Sequence, residues 1–134
     1  MAAKRLVNMT QTIATEGINQ TTISVITATG NSREFYEFAS ADAAVFYVDC
    51  SATSGTTPTL TLVLQERDPA TGLFFTASDA PAFAVVNTAS IGTPARYVLN
   101  PCYGEAYVLN WAIGGTATPA LTVSVIAQLI SWGK

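Results

Sequence analysis

The chain predicts a single all-β domain: a two-sheet β-sandwich of the Greek-key or jelly-roll kind, with an extended N-terminal arm. Three observations lead there. Apolar and polar residues alternate with period two through most of the sequence. No window carries a convincing helical period. Gly, Pro, Asn and Ser interrupt the alternating runs at short, regular intervals. At 134 residues the chain is long enough for one domain with its own core.

In chain order, residues 1–18 are polar and loosely patterned and read as the arm; residues 19–134 read as the sandwich. "TTISVITA" (21–28) is the first strand candidate. "NSREFYEF" could start a helix, with Asn31 or Ser32 as cap and Glu34 and Glu37 in the first turn. Its aromatic residues and its passage into a strand favour a strand over 33–38. "AAVFYVDC" (43–50) sets Phe46, Val48 and Cys50 against Val45, Tyr47 and Asp49, and both faces are fairly apolar. "TLTLVLQ" (59–65) places Leu60, Leu62 and Leu64 on one face. "LFFTAS" (73–78) and "ARYVLN" (95–100) follow. "AYVLNWAI" (106–113) aligns Tyr107, Leu109, Trp111 and Ile113, which makes Trp111 a core residue. "ALTVSVIAQLI" (120–130) aligns Leu121, Val123, Val125, Ala127 and Leu129.

An internal echo links the two halves. "FYVDCSATSGTTPTLTLVLQ" parallels "YVLNWAIGGTATPALTVSVIAQ": an aromatic strand, a Gly-Thr…Pro connection, then a Leu/Val/Thr strand. Gly55 and Gly115 would supply positive φ, and Pro58 and Pro119 would open the next strand. The expected form is two similar hairpins, one per half.

"ERDPATGL" (66–73) concentrates charge in a chain that has little. It has the grammar of a hairpin connection: Asp68 to accept backbone N–H groups, Pro69 to preset φ, and Gly72 for the left-handed position. Glu66 and Arg67 remain as rim charges, available to a neighbouring subunit.

Composition narrows function. Only 11% of residues are charged, against roughly 25% in an average globular protein. Such a surface implies coverage by partners. The net charge is −3, and Lys4–Arg5 is the only basic pair, so no phosphate-neutralising stripe exists and nucleic acid is not an expected partner. No apolar run approaches the ~20 residues that span a bilayer, and none follows Lys4–Arg5 as a signal peptide would require. Membrane association is not expected; synthesis in the cytoplasm is. Asn8-Met9-Thr10 and Asn19-Gln20-Thr21 match the glycosylation pattern by chance in that setting.

Catalysis is not expected. The chain has no His, which removes the commonest general base and every Ser-His or Cys-His set. Glu34 and Glu37, three apart, would face opposite sides of a strand and not converge as a glycosidase pair. Cys50 and Cys102 fit no metal spacing. Two free thiols are the favoured state, and a disulfide between them is the alternative. No cofactor is expected. Tyr103 and Trp132, exposed by position, are candidates for interface anchors or a sugar platform.

"VFYVDCSATSGTTPTLTLVLQERDPATGLFF" and "YVLNWAIGGTATPALTVSVIAQLI" together resemble small β-sandwich proteins encoded among the structural genes of tailed bacteriophages. The resemblance spans about residues 43–130. It implies a virion component: first a capsid decoration (cement) protein, otherwise a tail or neck protein. Decoration proteins of this kind sit at symmetry axes of the shell, often as trimers, and clamp capsid subunits with a terminal arm. The implied partners are the major capsid protein and copies of the chain itself. Lys4, Arg5, Glu66, Arg67, Tyr103 and Trp132 are the interface candidates. The rival expectation is a carbohydrate- or receptor-binding sandwich.

Overall fold

The computed structural model describes residues 3–9, 24–77, 80–102 and 104–131. Eight strands follow in chain order: β1 (Ala3–Asn8), β2 (Ser24–Ile26), β3 (Gly30–Asn31), β4 (Ala43–Arg67), β5 (Phe74–Thr76), β6 (Val86–Asn87), β7 (Ala95–Leu99) and β8 (Tyr107–Ser131). Two short 3-10 turns, Glu37–Ser40 and Thr88–Ser90, are the only helical segments among the described residues.

β4 and β8 are antiparallel partners along nearly their whole lengths, from Ala43 opposite Ile130 to Glu66 opposite Tyr107. A straight ribbon of that kind would extend roughly 80 Å at about 3.3 Å per residue. One side chain shows that it does not. The Phe38 ring lies 6.1 Å from the Phe46 ring and 4.9 Å from the Tyr107 ring. Phe46 pairs with Ala127 and Tyr107 with Glu66, twenty residues apart along either strand (46 to 66, 127 to 107). On a straight ribbon those positions would be about 65 Å apart. The ribbon is folded over, and its two halves are the two layers of a sandwich.

The first sheet joins residues 43–53 of β4 to residues 121–130 of β8. β1 and β2 flank it on the β8 side and β7 on the β4 side. The second joins residues 59–67 of β4 to 107–114 of β8, flanked by β3 on one side and by β5 and β6 on the other. The alternating pattern sets which residues meet inside. Phe46, Val48 and Cys50 from one half, Leu60, Leu62 and Leu64 from the other, and Leu109, Leu121, Val123, Val125, Ala127 and Leu129 from β8 are buried in one core. Trp111, expected within it, is only partly buried and packs against its edge.

The fold-over occurs at the echoed Gly-Thr…Pro segments, which corrects the expectation of two hairpins. They are not turns between neighbouring strands. They are corners in two strands that run side by side, with Thr56 opposite Thr116. Gly55 (φ +91°), Thr57 (+45°), Gly115 (+112°), Ala117 (+56°) and Thr118 (+51°) take the left-handed conformations that re-aim the chain. The two motifs also interlock. A Cβ on Gly55 would stand 2.7 Å from Pro119 Cα, and one on Gly115 would stand 2.9 Å from the Thr56 and Thr57 carbonyl oxygens and 3.1 Å from Pro58 Cα.

The open end of the sandwich is closed by residues 35–42. Phe35 exchanges backbone hydrogen bonds with Tyr107 (2.8 and 3.1 Å), and the Asp42 N–H donates to the Ile130 carbonyl (2.8 Å). The strand expected over 33–38 is absent. Phe35 makes one isolated bridge, and Glu37–Ser40 turn as a 3-10 segment. Phe35 and Phe38 are both buried, and a spacing of three suits a turn, where a strand would send one of them outward.

Residues 3–9, expected within the arm, lie along β8 of the same sheet. Ala3 is opposite Ser131 and Asn8 opposite Ile126, and Met9 is fully buried with its N–H donated to Val125 O at 2.8 Å. Residues 10–18 of the expected arm lie outside the described residues.

Gly55→Ala and Gly115→Ala should each destabilise the fold by about 2–4 kcal/mol in urea denaturation, since left-handed strain and a backbone collision add. Gly92 shares a positive φ (+75°), but a methyl group there would meet nothing within 4 Å. Its Ala variant should lose only about 1 kcal/mol.

Candidate interaction surfaces

The charged triplet is a hairpin rim. Asp68 and Leu73 close the β4–β5 connection through Asp68 N–H to Leu73 O (2.7 Å), and Gly72 N–H donates to Asp68 O (2.8 Å). The Asp68 carboxylate accepts from Ala70 N–H (2.9 Å) and from the Thr71 hydroxyl (2.7 Å), and these bonds hold its carboxyl below the ordinary range. Gly72 has φ +77°. The turn chemistry of Asp68, Pro69 and Gly72 is thus as the sequence reads. Arg67 pairs with Glu105 at 3.0 Å across the rim, and Glu66 stands opposite Tyr107 and Phe75 in the sheet.

Lys4 and Arg5 occupy β1 positions opposite Ile130 and Leu129. Tyr103 and Trp132 lie outside the described residues. Glu34 and Glu37 engage different partners: the Tyr36 hydroxyl donates to Glu34, which pushes the Tyr36 phenol up, while Glu37 pairs with Arg33 at 2.6 Å. Among the described residues, no three His, Cys, Asp or Glu side chains gather as a metal site. No helix there is long and apolar enough to cross a membrane.

The cysteines are free and far apart. Cys102 N–H donates to Asp42 O at 2.9 Å, whereas Cys50 lies eight residues further along the chain in β4. That separation is about 26 Å of strand, and a disulfide needs Cα atoms within roughly 7 Å. The bridge held open by the sequence is therefore excluded within one chain. Burial raises both thiols, with Asp42 adding to the effect at Cys102, which is pushed up to about 11.

One further surface emerges only from the fold. The outer face of the first sheet exposes Val25 (63%), Val98 (46%) and Tyr47 (41%). Register places Val98 beside Val45 and Tyr47 beside Ile126, and the Tyr47 hydroxyl donates to Gln128 Oε1 at 3.3 Å. On β4 and β7 the charges of this face are Asp49 and Arg96. The signal was present in "AAVFYVDC", whose second face is also apolar: a strand buried on one side only would carry polar residues there.

No protein-family model matches the chain, and no curated protein matches it. Among solved structures it is similar to a chain of the Bacillus endospore appendages, which "form a novel family of disulfide-linked pili". The identity is 14% and the TM-score 0.36, over 98% of this chain and 88% of that one. A likeness that remote carries no functional information.

Thiol titration should find two reactive groups per chain in denaturant and far slower alkylation of the native protein at neutral pH. The raised thiol of Cys102 has a sign: its neutral form is favoured by the fold. Its contribution to stability is complete below pH 9.0 and is lost as pH rises from there to about 11. A Cys102→Ser variant should flatten that alkaline decline in melts run across the same range.

Proposed function

We propose that this chain is a structural virion protein of the capsid decoration (cement) class, binding the mature phage head through the outer face of its first sheet. The observation that carries this reading is that face: exposed Val25, Tyr47 and Val98 on a sheet whose central strands are tied along their full length. Exposed apolar side chains on so weakly charged a surface favour a covered rather than a solvated state. The resemblance of residues 43–130 to phage structural-gene sandwiches points the same way.

The physics of the role is simple. A filled head is under internal pressure, and a protein that binds only the expanded lattice stabilises it by its differential affinity. Many copies on a symmetric shell add their effects. A rigid face loses little conformational entropy on docking. The major capsid protein and further copies of this chain are the partners the role requires, and the capsid surface is the location.

β1 changes how the role is tested. Removing residues 2–18 as though they were a free arm would take away a paired strand and the buried Met9, so lost binding would report unfolding. Substitutions on the face avoid this. Val98→Lys with Tyr47→Ser should leave the melting temperature within a few degrees and abolish binding to heads that lack the protein. Quantitative mass spectrometry of virions should find copies at the order of the lattice axes relative to the shell protein. A handful per particle would move the chain to the neck or tail, and absence would remove the virion reading.

A further inference from the structure

The outer face of the second sheet differs from that of the first. It holds an open groove of about 510 Å³, within the size range of small-molecule sites. Three carboxamides (Asn31, Gln65, Asn110) and three hydroxyls (Thr29, Thr61, Thr76) line it over an apolar floor that includes Val63 and Ala112. Among the described residues, no ionisable side chain lines it.

Register explains the layout. Asn31 faces Asn110 across β3 and β8, and Thr76 faces Gln65 across β5 and β4. Val63 lies directly opposite Asn110, and Ala112 directly opposite Thr61. These two make a short apolar strip set diagonally among the amides and hydroxyls. Gly30 brings β3 close to the indole, since a Cβ there would stand 3.3 Å from Trp111 Nε1.

The polar groups have spare capacity. Asn31 donates to Ser32 O (2.8 Å) and Thr29 Oγ1 accepts from Ile113 N–H (3.0 Å). The side chains of Gln65, Asn110, Thr61 and Thr76 and the indole N–H of Trp111 have no partner among the described residues.

We infer that this groove binds a neutral oligosaccharide. Carboxamides and hydroxyls both donate and accept, as sugar hydroxyls do. The apolar strip suits the C–H face of a pyranose. A nucleic acid or anionic glycan would need cations that the lining lacks. An extended peptide would dock on a free strand edge, whereas the Asn110 segment of β8 is paired with β3 on one side and with β4 on the other. This site is independent of the decoration role: it faces away from the first sheet, and either can fail alone.

The test is an array of neutral and anionic glycans probed with the full chain. Calorimetric titration of maltohexaose, cellohexaose and mannohexaose follows. Binding confined to neutral glycans is expected. Asn110→Ala and Gln65→Ala should each weaken it about tenfold, roughly the worth of one hydrogen bond. Neither should shift the melting temperature. Ala112→Trp, which fills the floor, should abolish binding. No neutral ligand, anionic ligands alone, or undiminished binding by all three variants would overturn the inference.

Discussion

The contact between Gly55 and Pro119, mirrored by Gly115 against Pro58, is the constraint on which the rest of this structure depends. β4 and β8 are long enough to run out as a straight ribbon, and their backbone hydrogen bonds would be equally satisfied if they did. Nothing in strand pairing alone folds them over. The left-handed residues at the corner turn the chain, and two missing side chains let the partnered backbones approach at the turn. Fold class, core and faces all follow from that bend.

The bend then selects the core. Period-two strands have one buried face only if something covers it, and here the cover is the other half of the same ribbon. Leu60, Leu62 and Leu64 share one core with Phe46, Val48 and Cys50 of their own strand, as well as with residues of β8. The aromatic cluster at the far end completes the closure: Phe38 touches Phe35, Phe46 and Tyr107, so one side chain reports on both sheets at once. Because Ala43 pairs with Ile130, most of this depends on residues distant in sequence. Strand pairing of that kind meets its loop-closure entropy before it gains stability, and the topology belongs among the slower-folding classes.

What could be read from the sequence was local. Strand phases were legible, because alternation names the buried face without reference to a partner: Leu60 to Leu64 and Leu121 to Leu129 lie inward as expected. The Asp68–Gly72 turn was legible because its chemistry is contained within six residues. The corner was half legible. Positive φ at Gly55 and Gly115 followed from residue type, yet a Gly-Thr…Pro segment between strands looks the same whether the next strand pairs with the previous one or with a distant one. Pairing is a non-local fact. So was the separation of Cys50 from Cys102, which depends on where Asp42 docks. Phe35 and Phe38 misled because aromatic content favours strand, while their three-residue spacing, read with burial in mind, favours a turn.

The two outer faces divide the surface by chemistry. Each sheet offers its second face to the outside, and neither is the charged, mixed surface that keeps a small domain solitary. On the first, Tyr47, Val98 and Val25 present apolar area, which suits a large, flat partner that can exclude water from it. On the second, Asn110, Gln65 and Thr76 present donors and acceptors without partners among the described residues, which suit a ligand that brings its own hydroxyls. A chain with few charges cannot discriminate partners by long-range fields. The proposed partners would be told apart by short-range complementarity, and a folded ribbon suits that, since the same two central strands carry both faces.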